Sequence, residues 1–318
     1  MTQKSNTTLI VVCFAIIYLV WGSTYLANKF AIDSIPPVLM SASRLLAAGT
    51  ILTGITLLLG HSLRISRLHL KNVAISGLLF LGVGLAGVVW AEQFIDSNTA
   101  AVIVALEPLA VVLVMWLWSK KRPGWTSWVG VGLGIVGSWL LFSQSIIIEG
   151  FWDWMGVLAV FVSITAWAFG SVFIARADMP DSKLVTSSYQ MLIGGLFLLP
   201  FAYFMGDFTD FTLHQVEPNS WIAFAFLVFL GSIVAFSAFN YLLKNVSPDK
   251  VATSTYVHPV VAIALGWWLR DEIITLQTIG AVLVMLVGVL FVNAGPNILS
   301  RRKRAKITAS PELEPVEA

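Results

Sequence analysis

The chain of 318 residues is 58% hydrophobic and only 11% charged, with a formal net charge of +2. A soluble globular domain carries about 25% charged residues, so the composition argues against a soluble protein with a large core. The single cysteine, Cys13, excludes an intramolecular disulfide and a metal site built from cysteines.

About ten apolar stretches follow one another along almost the whole chain. Crossing roughly 30 Å of hydrocarbon at 1.5 Å per residue takes about 20 apolar residues in a helix. The sequence therefore predicts an all-α integral membrane protein with about ten transmembrane helices. We expect the first stretch to be a retained helix, because it is too long for the apolar core of a signal peptide. The predicted spans are residues 8–29, 36–59, 72–94, 98–118, 125–145, 154–175, 184–205, 221–243, 251–269 and 275–293.

Lysine and arginine residues are distributed unevenly between the two sets of connections. When the N-terminus is placed in the cytoplasm, basic residues concentrate on that side, at 64–71, 120–122, 176–183, 244–250 and 301–306. The opposite connections carry mainly acids, among them Asp33, Asp207 and Glu217. Because cytoplasmic loops are enriched in basic residues, we expect a multi-pass protein of the cytoplasmic (inner) membrane with both termini in the cytoplasm.

The two halves of the chain resemble each other at an offset of about 150 residues. The triplet Phe-Leu-Gly at 80–82 recurs at 229–231, and Glu107-Pro108 has its counterpart in His258-Pro259. Five helices per half is an odd number, so the halves must insert with opposite orientation, an arrangement typical of secondary transporters. We predict a first repeat at 1–146 with helices 1–5 and a second repeat at 147–296 with helices 6–10. Residues 297–318, basic and then acidic, are predicted to form a disordered cytoplasmic tail.

Four short motifs occur in order along the chain up to about Pro296. They are Trp21-Gly22-Ser23-Thr24-Tyr25, Pro36-Pro37 followed by Arg44, Glu107-Pro108, and the run Tyr-Gln-Met-Leu-Ile-Gly-Gly at 189–195. Together they are similar to those of the EamA family of the drug/metabolite transporter superfamily. The resemblance implies two five-helix units around a central cavity, and export of amino acids or other small metabolites.

Two charged residues lie inside predicted spans, where a charge is costly and needs a reason. Arg44 is about eight residues into the second span and Glu107 about nine into the fourth, counted from the same face. Their depths therefore agree. Two interpretations stay open: Arg44 binds a substrate carboxylate while Glu107 titrates during transport, or the two residues form a static ion pair.

His258 has the position in the second half that Glu107 has in the first. It could relay protons, because histidine titrates near physiological pH, or it could be a hydrogen-bonded packing residue. Pro108 and Pro259 follow these two residues and predict kinks, which we interpret as hinges. On this basis Arg44 with Glu107, and Gln190 with His258, are predicted to help close opposite ends of one cavity.

A substrate cavity needs an apolar lining with a few oriented polar groups. Besides Arg44, Glu107 and His258, the candidate lining residues are Trp21, Tyr25, Trp90, Trp167, Tyr189, Gln190, Asn240 and Tyr256.

We expect a secondary transporter, an exporter of amino acids or related metabolites, rather than an enzyme. A nucleotide-sugar or sugar-phosphate carrier is the nearest alternative, although its anionic cargo would favour more basic residues inside the membrane than Arg44 alone. A membrane-embedded enzyme would need converging nucleophiles, metal ligands or carboxylates, and a channel would conduct without saturation. The expected partners are a small-molecule substrate, protons if transport is coupled to them, and membrane lipid. No nucleic acid, metal or cofactor is expected.

Overall fold

A computed structural model describes residues 7–95, 100, 103–120, 123–142, 150–209, 211–270 and 275–308. Within these ranges the chain forms helices and their connections, without a strand. Six of these helices, with bounds 7–32, 37–58, 67–91, 151–174, 183–204 and 218–245, are long and apolar enough to cross a membrane, as expected for an integral membrane protein. The helices are α1 (Thr7–Ile32), α2 (Pro37–Leu58), α3 (Arg67–Ala91), α4 (Glu107–Ser119), α5 (Trp125–Phe142), α6 (Phe151–Ile174), α7 (Lys183–Phe204), α8 (Pro218–Asn245), α9 (Pro248–Ala252), α10 (Ser254–Arg270) and α11 (Leu276–Thr308).

The fourth predicted span is interrupted beside its proline. A turn at Ala105 and Leu106 precedes α4, which begins at Glu107 with Pro108 as its second residue. Proline has no N–H to donate to the carbonyl four residues earlier, and its ring clashes with that carbonyl. The helix therefore restarts at Glu107, where the carboxyl group lies at a helix N-terminus.

The ninth predicted span is interrupted as well, at Thr253 between α9 and α10. The hydroxyl groups of Thr253 and Thr255 donate to the carbonyl oxygens of Lys250 and Ala252, at 2.7 and 2.8 Å. Such bonds compete with the helical hydrogen-bond ladder, which explains a break ahead of Pro259 rather than at it. Pro259 itself lies inside α10.

Three helices contain π-helical segments, an uncommon feature that occurs often at functional sites. The segments are Ile17–Trp21 in α1, Leu78–Leu85 in α3 and Leu227–Val234 in α8. The repeated Phe-Leu-Gly triplet falls inside the segments of α3 and α8, each eight residues long. The sequence repeat thus coincides with a shared irregularity of the backbone.

Small residues allow two pairs of helices to pack closely. Helix α2 runs along α7, where a Cβ placed on Gly49 would lie 3.0 Å from the backbone nitrogen of Leu192. Helix α5 runs along α11, where a Cβ on Gly288 would lie 2.6 Å from the carbonyl oxygen of Gly130. Both contacts depend on glycine because there is no room for a side chain.

The connections form two groups at opposite ends of the bundle. At one end, the α6–α7 connection accepts a hydrogen bond from Lys244 Nζ at the carbonyl of Ala177 (2.8 Å), and Asp178 lies 3.3 Å from His69 Nε2. At the other end, an Asp207 carboxylate oxygen accepts from the backbone N–H of Leu39 at 2.8 Å. The first end adjoins the predicted basic connections, and the second carries acids.

The C-terminal part differs from the sequence prediction. Helix α11 continues to Thr308, so residues 297–308 are helical where a disordered tail was expected. The basic run at 301–306 consists of good helix formers, which favour extending a helix that has already started. Residues 309–318 and the predicted repeat boundary at 146 lie outside the described residues.

Candidate functional site

A cavity of about 150 Å³ lies among α1, α2, α3, α4, α6, α8 and α10. Its wall is mostly apolar, with three ionisable side chains, Arg44, Glu107 and His258. All three belong to residues that are at least nine-tenths buried. An apolar chamber with a few oriented polar groups is the usual form of a small-molecule site.

Arg44 is held by neutral acceptors on two other helices. Its Nε donates to Ser232 Oγ at 2.8 Å, and its Nη1 donates to Asn28 Oδ1 at 3.4 Å. A Cβ on Gly231 would lie 3.0 Å from Nη2, so glycine makes room for the guanidinium. These contacts orient the guanidinium without neutralising its charge.

The ion pair considered for Arg44 and Glu107 is not formed. The structure places both residues on the wall of one cavity, as their equal depths predicted, but within the described residues the two make no ion pair. The physical reason is that the hydrogen bond to Ser232 turns the Arg44 guanidinium toward α8. Glu107 instead lies at the start of α4, where the helix dipole favours a negative charge.

His258 lines the same cavity as Glu107 and Arg44. Its side chain is hydrogen-bonded to the backbone of Ile17. The imidazole also makes an edge-to-face contact with Trp21, with ring centroids 6.1 Å apart. The hydrogen bond fixes the ring toward α1, so His258 joins the two halves of the chain at the cavity wall.

One side of the cavity is closed by an aromatic cluster, which we define as Trp21, Phe80, Trp167, Phe236 and Phe239. Trp21 and Trp167 meet edge to face at 5.8 Å, and Phe80 contacts Trp167 at 5.0 Å and Phe239 at 5.4 Å. Trp21 Nε1 donates to the carbonyl oxygen of Gly231 at 3.1 Å. The cluster thus joins helices from both halves of the chain.

Gln190 and Asn240 belong to a buried polar network instead of lining the cavity. Asn240 Nδ2 donates to Gln190 Oε1 at 2.7 Å and to Ser187 Oγ at 2.9 Å, and Gln190 Nε2 donates to Ser76 Oγ at 2.7 Å. The gate prediction grouped Gln190 with His258, but the hydrogen bonds of Gln190 go to Ser76 and Asn240 instead. On α3, Ser76, Phe80 and Gly84 follow one another at intervals of four residues and therefore lie on the same face of the helix. Ser76 belongs to the network, Phe80 to the aromatic cluster and Gly84 to the cavity wall, so the cluster lies between the network and the cavity.

Three other predicted lining residues lie away from the cavity. Tyr189 donates its hydroxyl to the carbonyl oxygen of Leu63 at 3.0 Å, and Tyr256 to that of Val131 at 3.4 Å. Trp90 packs edge to face on Phe94 at 4.8 Å. The side chain of Tyr25 lies outside the described part of the structure. Of the predicted set, the cavity therefore brings together Arg44, Glu107, His258, Trp21 and Trp167.

The sequence did not single out Ser232, Asn28 or Phe239, which contact Arg44 or line the cavity. A signal existed for Ser232 alone, because it directly follows the repeated Phe-Leu-Gly triplet. Asparagine is tolerated in membrane helices, and Phe239 is one of 20 phenylalanines in the chain, so neither position carries a comparable mark.

The chain matches the model of the EamA-like transporter family twice, over residues 8–143 and 154–294. It is 34% identical to the uncharacterized inner membrane transporter YedA of Escherichia coli K12, over 88% of this chain and 89% of that protein. It is 26% identical to the uncharacterized transporter YoaV of Bacillus subtilis, over 90% and 96%. A crystal structure of a protein 18% identical in sequence superimposes with a TM-score of 0.76, over 94% of this chain and 99% of that one. At that identity the likeness concerns the fold alone.

Proposed function

Because the chain belongs to the EamA-like transporter family, we propose that it is a secondary transporter that exports amino acids or related small metabolites by alternating access. The family and the named relatives indicate a transporter of the inner membrane rather than an enzyme. The observation that carries the substrate class is the cavity wall, where a buried arginine and a buried carboxyl group lie without an ion pair between them.

A zwitterion complements this wall. A guanidinium binds a carboxylate with two parallel hydrogen bonds, and a carboxylate binds an ammonium group. Burying a charge without an opposite charge beside it costs free energy, and a ligand with a carboxylate and an ammonium group would supply an opposite charge to each residue. A sugar phosphate would bring two or more negative charges to a cavity that Glu107 lines together with Arg44, so this alternative is less well supported.

We further propose that ten helices form two inverted repeats of five. The two family matches, the paired π-helical segments in α3 and α8, and the breaks ahead of α4 and α10 all support this arrangement. Interrupted helices are typical of transporters, which build substrate sites from them. In this proposal Pro108 and Pro259 mark the segments that flex.

Alternating access requires one end of the cavity to be closed while the other opens. The cavity reaches Asn28 near the end of α1, toward the acidic connections. Toward the basic connections, the cavity is followed first by the aromatic cluster and then by the network around Gln190. The contacts of the α6–α7 connection come last. We therefore propose that this state is closed toward the cytoplasm.

Transport by the purified protein in liposomes tests the assignment. Labelled alanine, threonine, leucine, phenylalanine and a sugar phosphate are supplied with and without a pH gradient. We expect saturable counterflow of amino acids and none of the sugar phosphate. Flux of the sugar phosphate alone, or flux that does not saturate, would contradict the proposal.

Substitution of Arg44 tests the binding mode. Loss of a charge-assisted contact, about 1.5–3 kcal/mol, corresponds to a loss of apparent affinity of roughly 10- to 100-fold in Arg44→Ala. Arg44→Lys should restore transport only in part, because an ammonium group cannot make the planar pair of bonds. The exposed Arg64→Ala is the matched control. Normal transport by Arg44→Ala at equal amounts of folded protein in the membrane would remove Arg44 from the site.

A further inference from the structure

A second, smaller cavity of about 30 Å³ lies beside the substrate cavity. Leu45, Leu81, Met191 and Phe236 form its far wall, and these side chains are almost fully buried. Apart from Arg44 and Ser232, the side chains that line this cavity are apolar or aromatic, and protein interiors contain few voids that exceed the size of a water molecule. Its position next to a charged group therefore calls for an explanation beyond imperfect packing.

The two cavities share a wall. Trp21, Arg44, Leu85 and Trp167 line both of them. A ligand that places its carboxylate on Arg44 would therefore have the smaller cavity directly behind the shared wall. In an α-amino acid the carboxylate carbon and Cβ are both bonded to the α-carbon, so the carboxylate and the side group would lie close enough to reach one wall.

The shared wall is built so that it can rearrange. Trp21 is fixed by the hydrogen bond from its Nε1 to the carbonyl of Gly231 at 3.1 Å, and by the edge of Trp167. Trp21 ends the π-helical segment of α1, and Gly231 lies in that of α8. Both partners of this hydrogen bond thus lie in backbone segments where the regular ladder is interrupted. Moving the indole requires this bond to break together with the ring contact to Trp167.

We propose that the smaller cavity is the subsite for the apolar side group of the transported zwitterion, which enters when the Trp21 indole swings aside. This inference rests on the proposed function, since Arg44 must bind the carboxylate. The subsite takes apolar groups, because Leu45, Leu81, Met191 and Phe236 line it on the side away from Arg44. Its volume, to which Leu81 and Met191 contribute as lining residues, determines which side groups are accepted.

A size series of zwitterions tests the proposal. Glycine, alanine, valine, leucine and phenylalanine compete for counterflow in liposomes that contain wild-type protein, Met191→Ala or Leu81→Phe. In Met191→Ala we expect apparent affinity to rise for the larger members, by about fourfold per additional buried methylene, while glycine is unchanged. In Leu81→Phe we expect the larger members to lose affinity by similar factors, again with glycine unchanged.

Met40→Ala is the matched control, because Met40 is equally buried in α2 but lines neither cavity. Leu81→Val is the substitute if Met191→Ala does not fold. If the apparent affinities for glycine and phenylalanine change by the same factor in Met191→Ala and in Leu81→Phe, as expected for Met40→Ala, the subsite is overturned. The binding of the carboxylate by Arg44 would be unaffected by that result. Wild-type protein that transports no zwitterion would overturn the proposed function and the subsite together.

Discussion

Asn240 on α8 and Gln190 on α7 are joined by a hydrogen bond of 2.7 Å from Asn240 Nδ2 to Gln190 Oε1. Both side chains are fully buried. Gln190 Nε2 also donates to Ser76 Oγ on α3 at 2.7 Å. One amide therefore connects three helices on the side of the aromatic cluster that faces away from the cavity, where a closed end would need to be held together.

Removing that amide should destabilise the closed bundle. Gln190→Leu removes one hydrogen bond from Ser76 and one from Asn240, and a buried group that loses its partner costs about 1–3 kcal/mol in water-soluble proteins. Interhelical hydrogen bonds in membranes average about 0.6 kcal/mol, so we expect a loss near 1 kcal/mol and a thermal midpoint lower by a few degrees. The exposed Gln93→Leu should leave the midpoint of the detergent-solubilised protein unchanged. Equal midpoints for the two variants would show that the network adds no stability.

The long apolar helices could be predicted from the sequence because hydrocarbon imposes both their length and their composition. Arg44 and Glu107 could be found in the same way, since a charge in hydrocarbon is costly wherever it points. The breaks at Leu106 and Thr253 were only partly predictable. Pro108 marks the first of them, whereas the second depends on threonine hydroxyl groups that bond to the backbone.

The direction in which Tyr189, Gln190 and Tyr256 point could not be predicted. A helix that is apolar on all sides has no hydrophobic periodicity from which its rotation can be derived. Rotation is fixed by close packing between helices instead, as at the contacts of Gly49 and Gly288. Such contacts involve residues distant in sequence, so a single chain without aligned relatives does not reveal them.

The contact between α5 and α10 predicts a sharp difference between two neighbouring glycines. A Cβ on Gly134 would collide with the ring of Tyr256, whereas a Cβ on Gly132 would meet nothing within 4 Å. Overpacking costs about 1–3 kcal/mol, so Gly134→Ala should lower the thermal midpoint. Gly132→Ala should be neutral or slightly stabilising, because alanine is the better helix former. The comparison fails if both variants unfold at the same temperature.

Glu107→Gln should weaken amino-acid transport selectively. Loss of a charge-assisted contact to the ammonium group, about 1.5–3 kcal/mol, exceeds the loss of about 0.3–1 kcal/mol from the dipole of α4. We therefore expect a rise in KM of roughly 10-fold or more with little change in the amount of folded protein. A carboxylate that lacks the amino group should inhibit amino-acid transport equally well in the wild-type protein and in Glu107→Gln. Glu92→Gln, outside the cavity lining, is the control, and an equal rise in its KM would remove Glu107 from ammonium binding.

The grouping of the connections predicts which sites lie on the same side of the membrane. Asp178 contacts His69, and Asp207 accepts a hydrogen bond from Leu39 at the opposite end. Because the first end carries the basic connections, we expect reporters inserted after Gly60 and after Ala318 to be cytoplasmic, and one inserted after Thr209 to be outside. The Gly60 reporter is the internal control, since its loop and Thr209 are separated by the length of α2 and lie at opposite ends. Reporters at Thr209 and Ala318 on the same side would exclude the arrangement of ten helices with both termini in the cytoplasm.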